Sequence, residues 1–436
     1  MASTYLTKTF GTATDRKKFT VSLWFKRSKL SSTQMLFAGT NGSIDEFVYL
    51  SGSNNILAEC ASGQLVSSAV FRDTNAWYHV VYKFDSAQAT AGDRTALYVN
   101  GTEISYSTET QPSQNATPNF INNSNLHAIG SRGSSADALF DGSITHFHFC
   151  DGYAYDASAF GETDATTGIW KPKTAPSVTY GTNGFFLKFE NSGSMGTDSS
   201  GNANNLTVNG NLTQTVDTPS NVFATFNATK EGRTAASAPQ SPTFSQGNTT
   251  ASFTNTGNWT FATTTLAVSK GKWYAEMKCN TYGSYSYVGL NNVEEFGTIN
   301  FAYLYRGDNG NLNDVTAYGS TWTTGDILQI AFDADNGTLW YGKNGTWQNS
   351  ATQSEIENGT TTNAAASSID MTKSWLFSSA GQNGSVMNLN TGNGYFGTTP
   401  VSSATSDESG LGIFEYTVPS GYYALCTKNI NTQEYA

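Results

Sequence analysis

The sequence predicts an all-β protein built from two antiparallel β-sandwiches in series, and three observations support this. Apolar and polar residues alternate along many short segments, which is the period of a strand with one buried face. Ten Asn-Gly pairs punctuate the 436 residues, and this pair favours the tight turn of a β-hairpin. Only 13% of the residues are charged, against roughly 25% in an average soluble domain, and helical periodicity is nearly absent.

Two segments illustrate how strands and turns are predicted. In KFTVSLWFKR (18–27) the odd positions from Phe19 to Phe25 are apolar, and the even positions are polar or charged apart from Trp24. This alternation predicts an antiparallel strand with one face in the core and one in water. In ALYVNGTEIS (96–105) the pair Asn100-Gly101 predicts a two-residue type I′ turn that opposes Val99 and Thr102.

The segment LQIAFDADNGTLWYGKNGTW (328–347) predicts two consecutive hairpins. A two-residue turn at Asn336-Gly337 would oppose Asp335 to Thr338 and Asp333 to Trp340. One face would then belong to the core, and it comprises Leu328, Ile330, Phe332, Ala334, Leu339 and Tyr341. The other face is predicted to be wet, and it comprises Gln329, Asp333, Asp335, Thr338 and Trp340. The two aspartates would lie about 7 Å apart on that wet face, with no chemical role.

Composition along the chain predicts three parts. Residues 1–180 are predicted to form the first sandwich and residues 251–436 the second, with a C-terminal extension. Residues 181–250 are predicted to connect them. The connection is placed there because the run 231–250 is rich in Ala, Ser, Thr and Pro and has no sustained pattern.

Charge excludes one class of partner and suggests another. The net charge of −11 would repel a phosphate backbone, so no nucleic acid partner is predicted. The first thirty residues carry instead seven basic residues against one acidic residue. This local excess predicts either a solvated strand face or a surface that docks on an acidic neighbour. The docking candidates are Lys8, Arg16, Lys17 and Lys18.

Cysteines and hydropathy bear on the compartment. Cys60, Cys150, Cys279 and Cys426 form no C-x-x-C pair, so reduced, partly buried thiols are expected instead of zinc knuckles or a disulfide framework. The stretch MASTYLTKTFG lacks the apolar core of a signal peptide. No apolar run approaches the ~20 residues that span a bilayer. We therefore expect synthesis in a cytoplasm and no membrane insertion.

Two known domain families resemble parts of the chain. FTVSLWFKR (19–27), AWYHVVYKFD (76–85), LYVNGTEI (97–104) and LFDGSITHFHF (139–149) resemble the laminin G-like domain, a concanavalin A-type jelly roll. SKGKWYAEMK (269–278), YVGL (287–290) and the segment 325–347 resemble a SPRY module. These resemblances imply two concanavalin A-like sandwiches, or jelly rolls, in series. The segment 181–210 is similar to an Asp-Ser-Ser-Gly-Asn segment at the edges of laminin G-like repeats, which implies that part of 181–250 completes the first sandwich.

The whole combination resembles proteins of marine bacteriophages, which are described as virion structural proteins, tail fibres or adhesins. GIWKPK (168–173), TVDTPSNVFATFN (215–227) and GYYALCTKNI (421–430) contribute to this resemblance. It implies a non-enzymatic virion protein, a fibre or adhesin that contacts host-surface glycan or protein, besides other virion proteins. A homo-oligomer follows, with a trimer favoured. Two alternatives stay open: a capsid decoration or cement protein that docks through its basic N-terminal region, and a glycan hydrolase.

Motifs for catalysis are missing from the sequence. Laminarinase-type glucanases share the sandwich and carry an E-x-D-x-x-E strand with two catalytic carboxylates. The nearest match begins at Glu162-Thr163-Asp164 and ends at Thr167, so the second glutamate is missing. No nucleophile elbow, H-E-x-x-H or Walker motif occurs. The sequence therefore predicts that the protein is not an enzyme.

Metal binding is predicted only as a weak calcium candidate. His146, His148 and Cys150 alternate on one strand, about 7 Å apart stepwise, and cannot close a tetrahedron around one ion. Many laminin G-like domains bind calcium through aspartates of rim loops. By that resemblance the candidates are Asp137, Asp141 and Asp151, and no other cofactor is expected.

Tyrosine-rich loops in the second sandwich form the candidate ligand site. Tyrosine offers a large amphipathic surface at small entropic cost, and Asp and Asn add directional hydrogen bonds. The alternative is that alternate tyrosines simply pack the core. The candidate residues are Tyr282, Tyr285, Tyr303, Tyr305, Asp308, Asn309 and Trp340.

Overall fold

The computed structural model describes residues 4–42, 45–134, 137–229, 241–257, 259–292 and 303–434. The chain divides into two compact units. The first unit comprises Met1–Gln214 and Thr218–Ser220, and the second comprises Thr215–Asp217 and Asn221–Ala436. Both are built almost entirely from antiparallel strands, and the fold is the concanavalin A-like jelly roll. The predicted fold class is thus confirmed.

The first unit is made of short strands and two 3₁₀ turns, Ala91–Asp93 and Ala157–Ala159. Its strands are β1 (Tyr5–Thr9), β2 (Lys18–Arg27), β3 (Gln34–Thr40), β4 (Asp45–Leu50), β5 (Ile56–Cys60), β6 (Gly63–Ser67), β7 (Tyr78–Asp85), β8 (Thr95–Val99), β9 (Thr102–Glu103), β10 (Tyr106–Thr110), β11 (Leu126–Ile129), β12 (Gly142–Asp151), β13 (Gly161–Thr163), β14 (Trp170–Pro172), β15 (Phe185–Leu187) and β16 (Thr207–Asn209).

Two sheets face each other across the core of the first unit. Within the described residues, one sheet has eight strands in the order β10-β6-β5-β4-β3-β11-β1-β16 and the other has six in the order β15-β12-β2-β7-β8-β9. Apolar side chains from alternate positions of both sheets fill the space between them, among them Leu6, Phe19, Phe37 and Phe149. The edge strands β15 and β16 come from the predicted connecting segment, and residues 231–240 of that segment lie outside the described residues.

The Asn-Gly hairpin between β8 and β9 is confirmed. Asn100 and Gly101 have φ angles of 48° and 87°, as a type I′ turn requires. Val99 opposes Thr102 in the ladder, and the N–H of Ile104 donates to the carbonyl of Leu97 at 3.1 Å. The predicted pairing is therefore the observed one.

The strand β2 differs from its prediction because both of its faces are buried. The polar face carries Thr20, Ser22 and Lys26, and all three are buried. The segment after β12 crosses this face: the Thr20 hydroxyl donates to the carbonyl of Tyr153 at 2.9 Å and accepts the N–H of Tyr155 at 2.8 Å. A small apolar cluster forms the third layer, with Val81, Cys150, Ala157 and Phe160 at its centre. The prediction of a wet outer face was wrong.

A buried glutamate of the first unit fixes the loop that leads into β11. One carboxylate oxygen of Glu46 accepts the N–H groups of Ala61 and Asn119 at 2.8 and 3.0 Å. The other accepts those of Phe120 and Ile121 at 2.9 and 2.8 Å. Four backbone donors are thus satisfied by one side chain, which holds the loop 119–121 against the sheet.

The second unit contains the remaining elements. Its strands are β17 (Thr243–Ser245), β18 (Thr250–Phe253), β19 (Thr260–Thr263), β20 (Lys272–Thr281), β21 (Tyr287–Asn292), β22 (Leu304–Arg306), β23 (Asn311–Leu312), β24 (Thr316–Ala317), β25 (Ile327–Asp333), β26 (Thr338–Lys343), β27 (Thr346–Trp347), β28 (Ala366–Ser367), β29 (Trp375–Gly381), β30 (Ser385–Asn390), β31 (Tyr395–Phe396), β32 (Thr399–Pro400), β33 (Thr405–Ser406), β34 (Ile413–Phe414) and β35 (Tyr423–Ala424).

Two helices accompany these strands, α1 (Gln353–Glu357) and α2 (Thr427–Glu434). The first begins at a capping box formed by Thr352 and Glu355. Among the helices of the described ranges, none has the length and apolar character needed to cross a membrane.

Two sheets also enclose the core of the second unit. Within the described residues, one follows the order β17-β18-β30-β20-β25-β26-β27, with β28 beside β26 and β35 parallel to β20. The other follows the order β19-β29-β21-β22-β23-β24. The predicted core positions of the 328–347 hairpin do belong to this core, which contains Leu328, Ile330, Phe332, Ala334, Leu339 and Tyr341.

The turn between β25 and β26 is longer than predicted. Asp333 opposes Thr338, so four residues form the turn instead of two. The Asp333 carboxylate explains this, because one of its oxygens accepts the N–H groups of Asp335 and Asn336 at 3.1 and 3.0 Å. Asn336 is not among the residues with positive φ, whereas Gly337 has φ 62°. A side-chain cap therefore replaces the two-residue turn.

Four residues of the predicted wet face are buried, so this prediction was wrong for Gln329, Asp333, Thr338 and Trp340. Asp335 alone of that face is exposed. Trp340 does lie on the face of β26 that points away from the core, in register with Ala331 and Tyr274. Residues 347–356 and residues 414–426, called the C-terminal segment, cover that face and form a second apolar cluster with it. The cluster comprises Phe223, Tyr274, Ala331, Trp340, Trp347, Ala351, Ile356, Phe414, Val418, Tyr422, Ala424 and Cys426.

A buried glutamate connects β20 to this covering segment. The Glu276 carboxylate accepts the backbone N–H groups of Glu415 and Tyr416, each at 2.9 Å, and the hydroxyl of Tyr274 at 3.0 Å. Burial raises the pKa of Glu276 to about 7, although the hydrogen bonds from the two backbone amides oppose the rise. Ionisation of Glu276 is therefore disfavoured in the folded unit.

Stability of the second unit should consequently fall as the pH rises. The folded-state pKa of Glu276 lies above its ordinary value of 4.5, so the folded unit binds this proton more tightly than the unfolded chain does. The stability that this proton contributes is fully present below about pH 4.5 and is lost as the pH rises through 7. The expected loss in free energy of unfolding is at most about 3 kcal/mol. Urea titrations at pH 5.5 and 8, with pulsed hydrogen exchange to follow each unit, would measure it. Glu276→Gln should remove this slope, and an unchanged slope in that variant would contradict the assignment.

All four cysteines are free and buried. Cys60 and Cys150 belong to apolar clusters of the first unit, and Cys279 and Cys426 to those of the second. Free thiols were predicted, and burial is more complete than the expected partial burial.

Candidate functional site

A cleft on the first unit forms at the ends of three neighbouring strands of the eight-stranded sheet. Thr40 at the end of β3, Leu126 at the start of β11 and Thr9 at the end of β1 are in register. They lie on the face opposite the core, because the alternate position His127 packs inward on Phe10 at a ring distance of 3.7 Å. The row of these three residues forms the floor of the cleft.

Residues 132–134 and Asp137 line one side of the cleft. The N–H of Arg132 donates to the carbonyl of Asp137 at 3.0 Å, and the Tyr5 hydroxyl holds the carbonyl of Ser134 at 2.8 Å. The resulting cavity of about 740 Å³ is called the rim cleft, and its lining comprises Thr9, Thr40, Asn41, Gly42, Ser124, Asn125, Leu126, Arg132, Gly133, Ser134 and Asp137.

The rim cleft is polar and carries balanced charge. Arg132 and Asp137 form an ion pair at 3.8 Å in which both side chains remain substantially exposed. The Arg132 guanidinium also lies over the ring of Phe47, 5.4 Å from its centroid, which limits its rotamers. Leu126 is the single aliphatic side chain among the described lining residues. A neutral molecule rich in hydroxyl groups matches such a lining better than an apolar one.

The far wall of the rim cleft depends on the loop that Glu46 anchors. The Asn125 amide donates to the carbonyl of Asn119 at 3.2 Å, and the Asn119 N–H is one of the four donors to Glu46. The Ser124 hydroxyl donates to the carbonyl of Gly11 at 3.1 Å. Ser124 and Asn125 are therefore positioned before any ligand arrives, which lowers the entropic cost of binding.

The rim cleft was not predicted as a site, although Asp137 was among the calcium candidates. Its lining comes from three distant parts of the chain, around Thr9, 40–42 and 124–137, and Thr, Ser and Asn are common on any strand end. Only the long-range register of β3, β11 and β1 brings them together. No local sequence signal reports that register.

The predicted tyrosine site of the second unit is only partly a surface. Tyr305 is fully buried and belongs to the core, and Tyr282 and Tyr303 are partly buried against that core. Trp340 is buried under the C-terminal segment. The packing alternative therefore holds for Tyr305, and Trp340 is not a surface platform.

Tyr285, Asp308 and Asn309 are the predicted residues that reach the surface. They lie around Arg306, whose guanidinium is 4.5 Å from the centroid of the Tyr285 ring. The Arg306 side chain donates to Asp308 from two nitrogens, one of them at 2.8 Å, and to Asp314 at 2.8 Å. These two carboxylates raise the pKa of Arg306, so the cation is permanent.

The predicted docking residues of the N-terminal region each have a local contact. Lys8 donates to the carbonyl of Asn205 at 3.4 Å and Lys17 to the side chain of Asn115 at 3.1 Å. Lys18 lies 3.8 Å from Asp85, and Arg16 donates to the carbonyl of Pro118. Docking through these four residues stays a prediction. Lys26 and Arg27, which belong to the same basic region, are buried.

The three calcium candidates do not converge. Asp141 precedes β12 and Asp151 ends it, so about ten residues at 3.3 Å each, roughly 30 Å, separate them. The Asp151 carboxylate is also occupied, because it accepts the N–H groups of Thr14 and Asn183. Among the described residues, no group of three or more His, Cys, Asp or Glu side chains is arranged to hold a metal ion.

A buried serine–histidine pair in the first unit is not arranged for catalysis. His79 Nε2 lies 2.9 Å from the Ser22 hydroxyl, and Trp170 Nε1–H donates to His79 Nδ1 at 3.0 Å. Because Nδ1 accepts, Nε2 must carry the proton of the neutral ring and donate to Ser22. Burial lowers the pKa of His79 to about 3. The histidine therefore cannot take a proton from the serine.

The other histidine cluster also serves packing. A bulge interrupts β12 between Thr145 and His148, and His146 has φ 47°. His148 is buried, stacks on Phe186 at 3.9 Å and lies 2.9 Å from the Tyr180 hydroxyl. The expected alternation of the two histidines with Cys150 is thus broken by the bulge.

Comparison with known proteins agrees with the architecture of the first unit. Residues 2–158 match the family model Laminin_G_3, described as the concanavalin A-like lectin/glucanases superfamily. No curated protein matches the chain.

Solved structures resemble parts of the chain at low identity. The SPRY domain of human HERC1 is 16% identical over 32% of this chain and 87% of that chain, with a TM-score of 0.26. A Bacteroides ovatus protein provisionally described as carbohydrate-binding is 13% identical over 48% of this chain and 61% of its own, with a TM-score of 0.31.

A SAP-like heptameric pentraxin from Limulus polyphemus is 13% identical over 48% of this chain and 90% of its own, with a TM-score of 0.30. Scores this low carry no argument about function. The segment 2–158 of this chain is thus similar to the concanavalin A-like lectin and glucanase superfamily, and the chain as a whole has the concanavalin A-like fold.

Proposed function

We propose that the chain is a non-enzymatic saccharide-binding protein, and that its rim cleft is the binding site. The observation that carries this proposal is the rim cleft itself, a preformed polar cavity of about 740 Å³ on a concanavalin A-like sandwich. Hydroxyl, amide, carboxylate and guanidinium groups converge on it, and a pyranose needs donors and acceptors of this kind. The charges of Arg132 and Asp137 cancel, which favours a neutral sugar.

The hydrolase alternative finds no support in the rim cleft. Glycoside hydrolysis ordinarily requires two carboxyl groups about 5–10 Å apart. Among the described residues that line the cleft, Asp137 is the single carboxylate. The arrangement of groups therefore suits binding without bond cleavage.

We further propose that this binding serves a fibre or adhesin of a bacteriophage particle. The support is the resemblance of segments such as 168–173 and 421–430 to phage virion proteins. Host-surface glycans offer many identical sites, and a trimeric fibre would present three rim clefts to them. Simultaneous engagement of several weak sites raises the avidity by orders of magnitude. No specific observation favours the capsid decoration role.

Removing the guanidinium from the rim cleft should weaken saccharide binding at that site. We expect Arg132→Ala to weaken the affinity for neutral oligosaccharides about tenfold or more, because a charged donor that is already oriented over Phe47 is lost. A glycan array of glucose, galactose, mannose and N-acetylglucosamine oligomers, probed with the intact chain, is the measurement. Arg72→Ala is the matched control, because Arg72 is an exposed arginine of the same unit outside the cleft. Equal array signals for both variants would contradict the proposal.

A further inference from the structure

We infer that the second unit carries a saccharide-binding surface of its own, independent of the rim cleft. This surface, the Tyr285 platform, is formed by Tyr285, Arg306, Asp308, Asn309 and Asp314. The ligand is a neutral sugar whose apolar face stacks on the ring and whose hydroxyl groups bond the neighbouring carboxylate and amide.

The backbone at Tyr285 supports a binding role. Tyr285 has φ 61°, in the left-handed region that is unfavourable for a residue with a side chain. Glycine would adopt the same angle at almost no cost. The ring does not repay this energy by filling the core, because 37% of the residue is exposed. Tyr285 therefore has an unfavourable backbone conformation and a ring that is partly exposed to solvent. Backbone strain of this kind is typical of functional sites.

The ring is also held rigidly. The Arg306 guanidinium lies over one face of the ring, 4.5 Å from its centroid, and Trp259 packs edge-on at 6.1 Å. Arg306 is itself fixed by Asp308 and Asp314, each with a hydrogen bond of 2.8 Å. Binding of a ligand to the Tyr285 ring would therefore cost little side-chain entropy, because the ring and the guanidinium are already held in place.

The groups around the ring define the class of ligand. Asp308 retains 38% exposure of its side chain, and Asn309 is exposed beside it. The side-chain oxygen Oδ1 of Asn309 accepts the N–H of Asn311 at 2.9 Å. The side-chain NH₂ of Asn309 is therefore the group that can donate to a ligand. An acceptor and a donor next to an aromatic ring match two adjacent hydroxyl groups of a sugar. One arginine and two aspartates sum to −1, which disfavours an anionic saccharide.

The decisive variant is Tyr285→Gly, because glycine accepts the left-handed angle and only the ring is lost. On the array of neutral oligosaccharides, we expect a set of glycans that Arg132→Ala still binds and that Tyr285→Gly binds at least tenfold more weakly. Tyr285→Phe should keep most of this binding. The matched control is Tyr153→Ala, which removes a tyrosine of nearly equal exposure, 36%, from the first unit.

Trp259 provides a second measurement that a merely structural role would not move. Titration of the intact chain with a glycan from that set should change tryptophan fluorescence, and Trp259→Phe should remove most of that change. If Tyr285→Gly binds every glycan as the wild type does, the inference is overturned. If Arg132→Ala has no effect while Tyr285→Gly does, the rim cleft fails and the Tyr285 platform stands.

Discussion

Glu46→Gln should destabilise the first unit by about 3–5 kcal/mol, the cost of breaking a buried charged arrangement from one side. The Glu46 carboxylate accepts four backbone N–H groups, two on each oxygen. In glutamine an NH₂ group, itself a donor, would replace one oxygen and face two of these N–H groups. The loop 119–121 packs directly against β3. It lies so close to β3 that a Cβ on Gly39 would come within 2.7 Å of the Ile121 nitrogen.

Urea unfolding followed by pulsed hydrogen exchange would measure the loss in the first unit alone. Glu59→Gln is the matched control, because Glu59 is only partly buried and its carboxylate bonds the side chains of Tyr49 and Gln64. Its replacement should cost about 1 kcal/mol or less. Glu46→Gln should also weaken saccharide binding, because Asn125 of the rim cleft is bonded to the same loop. Equal stability of the two variants would show that the loop has another anchor.

Trp340→Ala should destabilise the second unit by about 3–5 kcal/mol, as expected for a buried tryptophan whose removal leaves a cavity. The side chain is fully buried between the sheet and the C-terminal segment. Its indole N–H has no hydrogen-bond partner among the described residues, so Trp340→Phe should retain most of the stability.

The same experiment separates the buried position of Trp340 from a surface role. If Trp340 were an exposed stacking platform, its replacement by alanine would lower ligand binding and leave the urea transition unchanged. We expect the opposite, a large shift of the transition of the second unit. Val315→Ala is the control for an exposed apolar residue of this unit, at 81% exposure, and should change stability by less than about 0.5 kcal/mol.

Much of the fold was predictable because alternation is a local property. The odd positions of β2 and the core face of β25 follow directly from the order of apolar residues. The turn at Asn100-Gly101 was equally predictable, since both residues tolerate positive φ. At Asn336-Gly337 the same dipeptide gave the wrong register, because the Asp333 carboxylate caps a longer turn. The competing interaction came from a residue that the two-residue rule does not consider.

The outer faces were predicted wrongly for a different reason. Thr20 and Trp340 each lie on a strand face that alternation alone assigns to solvent. The segments that cover them come from elsewhere in the chain, around Tyr153 in one unit and around Phe414 in the other. A third layer of this kind does not change the alternation of the strand that it covers. The one local indication is a large apolar side chain on the outer face, such as Trp340.

The candidate sites were predictable to different degrees. Tyr285, Asp308 and Asn309 were found because they are close together along the chain and chemically suited to binding. Their companion Arg306 stands in the same stretch, and its pairing with Asp314 required the turn that follows β23. The rim cleft was not predicted because Thr9, Thr40 and Arg132 come together only through the register of distant strands.

A crystal structure of the intact chain with the neutral oligosaccharide that gives the strongest array signal would test the proposed site. We expect sugar density in the rim cleft, above the row formed by Thr9, Leu126 and Thr40, with hydroxyl groups within hydrogen-bond distance of Arg132 and Asp137. Density confined to the Tyr285 platform would show that the second unit alone binds saccharide. Strong binding in solution with an empty rim cleft in the crystal would contradict the proposed function of the first unit.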